Sequence, residues 1–122
     1  VYTGTDYFAS ARLTRQQARD SAIELLQKAA DEEGAAEEAA TEASEGIQAL
    51  AAYTLAEAQI ENLVTAKGYA DCVAFMGAES ISVVVSTRDG AALTSADVAK
   101  ITDITMTETG YPASAIKIMA AN

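Results

Sequence analysis

Residues 71–87 read Asp71-Cys72-Val73-Ala74-Phe75-Met76-Gly77-Ala78-Glu79-Ser80-Ile81-Ser82-Val83-Val84-Val85-Ser86-Thr87, and this stretch decides the fold. Two β-rich runs, Asp71 to Met76 and Ser80 to Thr87, flank Gly77-Ala78-Glu79, which marks an antiparallel hairpin. Within the second run Ile81, Val83 and Val85 fall on one face, and Ser82, Val84 and Ser86 on the other. One face is therefore the more apolar, as in a sheet covered by helices on one side.

Downstream, Arg88-Asp89-Gly90 reads as a turn. Thr94-Ser95-Ala96-Asp97 is a capping box, with Thr94 as N-cap and Asp97 reaching back. The short helix it opens is expected to turn Val98, Ile101, Ile104 and Thr105 inward and to close at Gly110. After Tyr111-Pro112, Ala115 to Met119 reads as the last strand, with Ile116 and Ile118 on one face. A strand–helix–strand unit crosses over right-handedly, which predicts that the second and third strands run parallel. Three strands do not close on themselves, so both sheet edges are expected to stay unpaired unless a partner covers them.

Upstream lie two helical stretches. Thr5 to Glu33 lacks proline and glycine, and Thr5 or Asp6 suits its start. Ala18, Ala22, Leu25, Leu26 and Ala29 make a mildly apolar stripe, and Glu24 and Lys28 an i,i+4 ion pair. Arg12, Arg15, Arg19 and Lys28 form the basic concentration of the chain, read either as a solvated face or as a binding stripe. Asp31 to Glu45 is acidic and low in complexity, so a turn or fraying is expected near Gly34. The second helix runs from about Ala36 or Gly46 to Lys67, with Gly68 ending it. Ile47, Leu50, Tyr53 or Thr54, Ile60, Leu63 and Val64 are expected to line its inner side, and Glu57 and Glu61 to point elsewhere. The fold class is α+β: two helices, then β-β-α-β. The division expected is residues 1–45, an N-terminal helix with the acidic segment, and residues 46–122, an αββαβ unit.

Composition narrows function. The chain has 122 residues, a net charge of -10 and eight Lys and Arg against eighteen acids. Nucleic acid and anionic lipid are therefore unsuitable partners. There is no histidine and one cysteine, Cys72, which removes the commonest general base and any thiolate metal cluster. Cys72 reads as a core residue. The six glycines outside the first turn stand alone, so no phosphate loop is present. No catalytic residue, cofactor or metal site is assigned. Tyr7-Phe8 reads as a partner anchor, a remnant beside a linker, or the top of the core. The chain opens at Val1 without methionine, which suggests either a processed chain or one with an upstream segment removed, the missing part being a candidate place for an anchor.

Two blocks resemble a known family. Tyr7-Phe8-Ala9-Ser10-Ala11-Arg12-Leu13 with Arg15-Gln16-Gln17-Ala18-Arg19, and Ile60-Glu61-Asn62-Leu63-Val64-Thr65-Ala66-Lys67-Gly68-Tyr69-Ala70-Asp71-Cys72-Val73-Ala74-Phe75, are similar to the stage III sporulation protein AH family. The likeness continues through Ile81–Val85 and Val98–Gly110, and it departs at the Ala/Glu-rich segment Asp31 to Glu45. It implies a ring-building-motif domain over residues 46–122 and a structural, non-enzymatic role. It also implies a transmembrane segment outside this chain, anchoring in the mother-cell membrane around the forespore, with this domain in the intermembrane space. Stage II sporulation protein Q is the partner implied, with self-association into a ring or channel. The expected interface comprises Arg12, Arg15 and Arg19, the hairpin residues Ile81, Val83 and Val85, and the edge at Ile116 and Ile118. Reversal of Arg15 and Arg19 to glutamate is expected to weaken binding. Two other readings compete: a small-ligand or peptide-binding domain, marked by a deep apolar pocket, and a carboxylate hydrolase, marked by a raised carboxyl pKa in a cleft.

Overall fold

The computed structural model describes residues 4–32, 34 and 36–121. The side chains of Thr5 and Asp6, and the helix end at Glu33, lie outside the described residues. Helix α1 spans Gly4–Asp31 and α2 spans Glu37–Ala66. They are followed by β1 (Asp71–Met76), β2 (Ile81–Ser86), α3 (Ser95–Thr109), a short 3-10 turn and β3 (Ile116–Ala120). The sheet order is β1-β2-β3, with β1 antiparallel to β2 and β2 parallel to β3. The hairpin and the parallel pair both follow the sequence reading.

The acidic stretch divides at Gly34, whose positive φ of 84° suits a residue without a Cβ. Its second half then begins α2, where Glu37 and Glu38 sit favourably at the positive end of the helix dipole. Residues 45 and 46 are both inside this helix. Gly46 is where the helices touch closely: a Cβ there would lie 3.1 Å from Leu26 Cδ1.

One face of the sheet presents Cys72, Ala74, Ile81, Val83 and Val85 to Ile60 and Val64 of α2 and Ile101 of α3. Met76, Ile104, Ile116 and Ile118 pack around that core. On the opposite face Phe8 covers Val73 and Val84, with Tyr7 edge-on to Phe8 at 5.3 Å. Of the three readings of Tyr7-Phe8, core is the one Phe8 takes. Two inward expectations are corrected: Leu63 is 40% and Val98 38% exposed. In α3 the packing begins one turn after Val98, at the fully buried Ile101.

The inner seam of α1 also differs from the expected stripe. Leu25 is 68% exposed, and the inward positions are Phe8, Ala11, Arg12, Arg15, Arg19, Ala22, Ile23, Leu26 and Ala30. Three arginines therefore occupy positions where a helix seam ordinarily carries apolar residues.

Around α3, Thr94 and Asp97 form the capping box, and Gly110 closes the helix at φ 76°. The Tyr69 hydroxyl donates to Asp97 Oδ1 at 2.6 Å. The Thr94 backbone N–H, then the Tyr69 hydroxyl, hold the Asp97 carboxyl below its ordinary value. Burial and the same carboxylate push Tyr69 up to about 12. The stability supplied by Asp97 is present above the unfolded carboxylate value of about 3.9 and lost as pH falls through the lower folded value. That supplied by Tyr69 is present below the unfolded value of about 10 and lost as pH rises towards the folded one. Thr94→Ala should cost about 1 kcal/mol in denaturant unfolding. Tyr69→Phe should make the alkaline decline shallower, with the raised Cys72 thiol and Tyr111 hydroxyl still contributing to it, while leaving the protein folded at neutral pH.

Candidate functional site: the two edges of the sheet

An edge strand carries unpaired N–H and C=O groups that need partners. In β1 the residues with outward groups are Cys72, Ala74 and Met76, since Asp71, Val73 and Phe75 bond to β2. Side chains of α1 and α2 meet them in turn. The Cys72 N–H donates to Asp71 Oδ1 at 2.8 Å, and Arg12 donates to the Cys72 carbonyl. The Ala74 N–H donates to Glu61 Oε2 at 2.9 Å, and Arg15 Nη1 donates to the Ala74 carbonyl. The Met76 N–H donates to Glu57 Oε2 at 2.7 Å.

The side chains also pair with one another. Arg12 bridges Asp71 and Glu61, Arg15 bridges Glu61 (2.6 Å) and Glu57 (3.7 Å), and Arg19 takes Glu57 with both terminal guanidinium nitrogens. The result is a row of alternating charge, Asp71, Arg12, Glu61, Arg15, Glu57, Arg19, along the strand. Helix geometry permits it. Four helical residues advance about 6 Å, close to the roughly 6.6 Å of two strand residues. Glu61 and Glu57 thus reach Ala74 and Met76 in register, α2 running antiparallel to β1.

Burial makes the row consequential. Glu57 is fully buried, and the Arg15 and Arg19 side chains are only 18% and 14% exposed. Arg12, at 38%, stacks its guanidinium over Phe8, and its hydrogen bond to Asp71 raises its pKa against the opposing effect of burial. Among the described residues no buried side-chain nitrogen or oxygen lacks a partner.

The opposite edge is different. Ala121 N–H donates to the Val85 carbonyl at 3.0 Å, so Lys117, Met119 and Ala121 face β2 with their main chain. The N–H and C=O groups of Ile118 and Ala120 face outward, and among the described residues none takes them. From Ala113 to Ala121 the only charge is Lys117.

A family model described as SpoIIIAH-like protein matches residues 2–118. The chain belongs to the SpoIIIAH-like family. A chain of a solved structure described as "Structure of the SpoIIQ-SpoIIIAH pore forming complex" is similar in fold. The TM-score is 0.77 at 20% identity, over 94% of this chain and 98% of that one. None of the curated proteins matches in sequence.

In this SpoIIIAH-like chain the expected interface residues separate into three groups. Ile81, Val83 and Val85 are at most 1% exposed, because α2 and α3 cover their face, so as side-chain contacts they are corrected to core. Arg12, Arg15 and Arg19 are brought together, but they face inward to the carboxylates and β1. Ile116 and Ile118 lie at the open edge, half-buried against the core. The expectation that both edges lack partners is corrected for β1, where the chain itself supplies them. The sequence reading missed Glu57 and Glu61. They are the only charged residues from Gly46 to Ala66, spaced i,i+4 beside the apolar stripe, opposite arginines spaced i,i+3,i+7.

Chemically the row is a set of neutralised pairs. Cys72 is buried, and desolvation first, then the Glu61 charge, pushes its thiol up to about 12. Among the described residues no group of histidine, cysteine or carboxylate side chains has metal-site geometry. Surface depressions are open. One is lined by Glu24, Gln27, Lys28, Asp31 and Glu32, another by Arg12, Gln16, Arg19, Asp20 and Thr54, and an apolar one by Ala18, Ala22, Leu50 and Phe75. None of these three has the enclosed walls of a small-ligand site.

Glu57→Ala should destabilise the fold by about 3–5 kcal/mol, since it strands Arg19 and the Met76 N–H in a buried place. Replacing Glu57 and Arg19 together by methionine should cost less than the sum of the single changes, measured by denaturant unfolding. Cys72 should resist thiol reagents at neutral pH until the protein unfolds. Reversal of Arg15 and Arg19 to glutamate should unfold the domain, so lost binding in that variant reports stability.

Proposed function

We propose that this SpoIIIAH-like chain is a non-catalytic structural part of a sporulation channel and binds stage II sporulation protein Q through the open edge of β3. The observation that carries this reading is the asymmetry of the sheet: β1 is sealed by side chains of α1 and α2 together with Asp71, and β3 presents main-chain groups that nothing among the described residues takes. An extended segment added at such an edge gains main-chain hydrogen bonds for affinity and side-chain contacts for choice. Ile116 and Ile118 fix the edge to the core, and Met119, 46% exposed, supplies an apolar contact beside it. No acidic side chain from Ala113 to Ala121 repels a partner, on a protein otherwise strongly acidic. The similar fold found in a SpoIIQ-SpoIIIAH complex supports the choice of partner.

The non-catalytic reading is supported by the lack of histidine in the sequence and by carboxylates engaged with arginine. Ring assembly follows when neighbouring copies meet head-to-tail and the rotation closes. No described helix is long and apolar enough to cross a membrane. The reading places this domain in the intermembrane space, with anchoring in the mother-cell membrane assigned to a segment outside this chain.

Light scattering of the chain mixed with SpoIIQ tests the proposal. The expected result is a complex heavier than either component, against 12.6 kDa for this chain alone. Ala120→Pro, which removes one outward N–H from an exposed residue, should abolish the complex while the far-UV spectrum stays native. A mixture that remains two separate species contradicts the choice of partner. Full binding by Ala120→Pro contradicts the choice of edge.

A further inference from the structure

We propose that the outer edge of β1 is a second strand-addition site, and that the Arg–carboxylate row keeps it shut against the β3 edge of another copy of this chain. The inference rests on the reading of β3 as an edge that accepts strands. The two edges lie at opposite ends of one sheet. If both were open, β3 of one copy would pair with β1 of the next. That contact joins different surfaces, and unless its rotation closes it repeats without limit. A sheet continued this way is the ordinary route from an exposed edge to fibres.

The row is well suited to prevent it. Five consecutive outward groups, from the Cys72 N–H to the Met76 N–H, are taken by side chains that supply acceptors and donors in the order a strand would. A single exposed lysine blunts many edges. Here three arginines and three carboxylates are committed, and Glu57 is fully buried despite the desolvation cost of an ion in the interior. Apolar side chains in their place would cover β1 but leave the Ala74 N–H and C=O orphaned. Another strand is the group that satisfies both at once. The occupant is a second copy because nothing among the described residues takes its Ile118 and Ala120 main-chain groups, and its β3 carries no acid to be repelled.

The experiment replaces the central pair, Arg15→Met with Glu61→Leu, and follows mass against concentration by light scattering with circular dichroism in parallel. The expected result is a protein with native helical content whose mass climbs with concentration beyond that of the unchanged chain. Adding Ala120→Pro should return it to the mass of the unchanged chain. A folded double variant that associates no more than the unchanged chain overturns the proposal. So does association that Ala120→Pro leaves untouched, since that reports general stickiness. Should the double variant not fold, Arg12→Gln, at the half-exposed end of the row, opens the Cys72 carbonyl alone. It must show the same association in weaker form, and its absence there also overturns the proposal. SpoIIQ is not in the mixture. Loss of SpoIIQ binding with association still sensitive to Ala120→Pro therefore counts against the partner and leaves the guarded edge standing.

Discussion

The structure depends on how one edge strand has its main-chain groups satisfied. A three-stranded sheet has two edges, and an unpaired N–H or C=O withdrawn from water costs as much as a lost hydrogen bond. At β1, α1 and α2 lie close enough to exclude solvent, so those groups must be met from within. Arg12, Arg15, Glu61 and Glu57 meet them, and Arg19 and Asp71 complete the neutralisation. The same contacts tie the two long helices to the sheet. Much of the alanine-rich helical pair buries little area per residue, so this polar seam is what orients it.

The arrangement also gives the domain a direction. The row is neutral within itself, and the cations outside it are Lys28, Lys67, Arg88, Lys100 and Lys117. The rest of the surface is therefore acidic, with the β3 edge as an apolar and weakly basic exception. A sheet with one sealed and one open edge adds a partner on one side and ends on the other. That is the behaviour a component of finite assemblies needs.

The β half was legible in the sequence because its signals are local. The hairpin turn, the period-two run Ile81–Val85, the Thr94–Asp97 box and Gly110 each act within a few residues, and each is found where it was read. The helical half was less legible because its decisive contacts are distant in sequence. Arg15 and Ala74 are 59 residues apart, and nothing near Arg15 marks it as core-facing. Apolar periodicity points to a stripe in α1, whereas its seam is carried by guanidinium groups. Charge alone points Glu57 outward, and the matched carboxylate and arginine spacing on two helices is the signal for its true place. The edge residues divided for the same reason: Ile116 and Ile118 belong to an outer strand, while Ile81, Val83 and Val85 belong to the central one that helices cover.

Residue-resolved hydrogen exchange measures the central claim, that one edge is sealed and the other open. In the isolated chain the Ala74 and Met76 amides should exchange slowly, near the rate of amides paired between β1 and β2. The Ile118 and Ala120 amides should exchange quickly and slow when SpoIIQ is added. Exchange at Ala74 and Met76 as fast as at Ile118 and Ala120 would contradict the account.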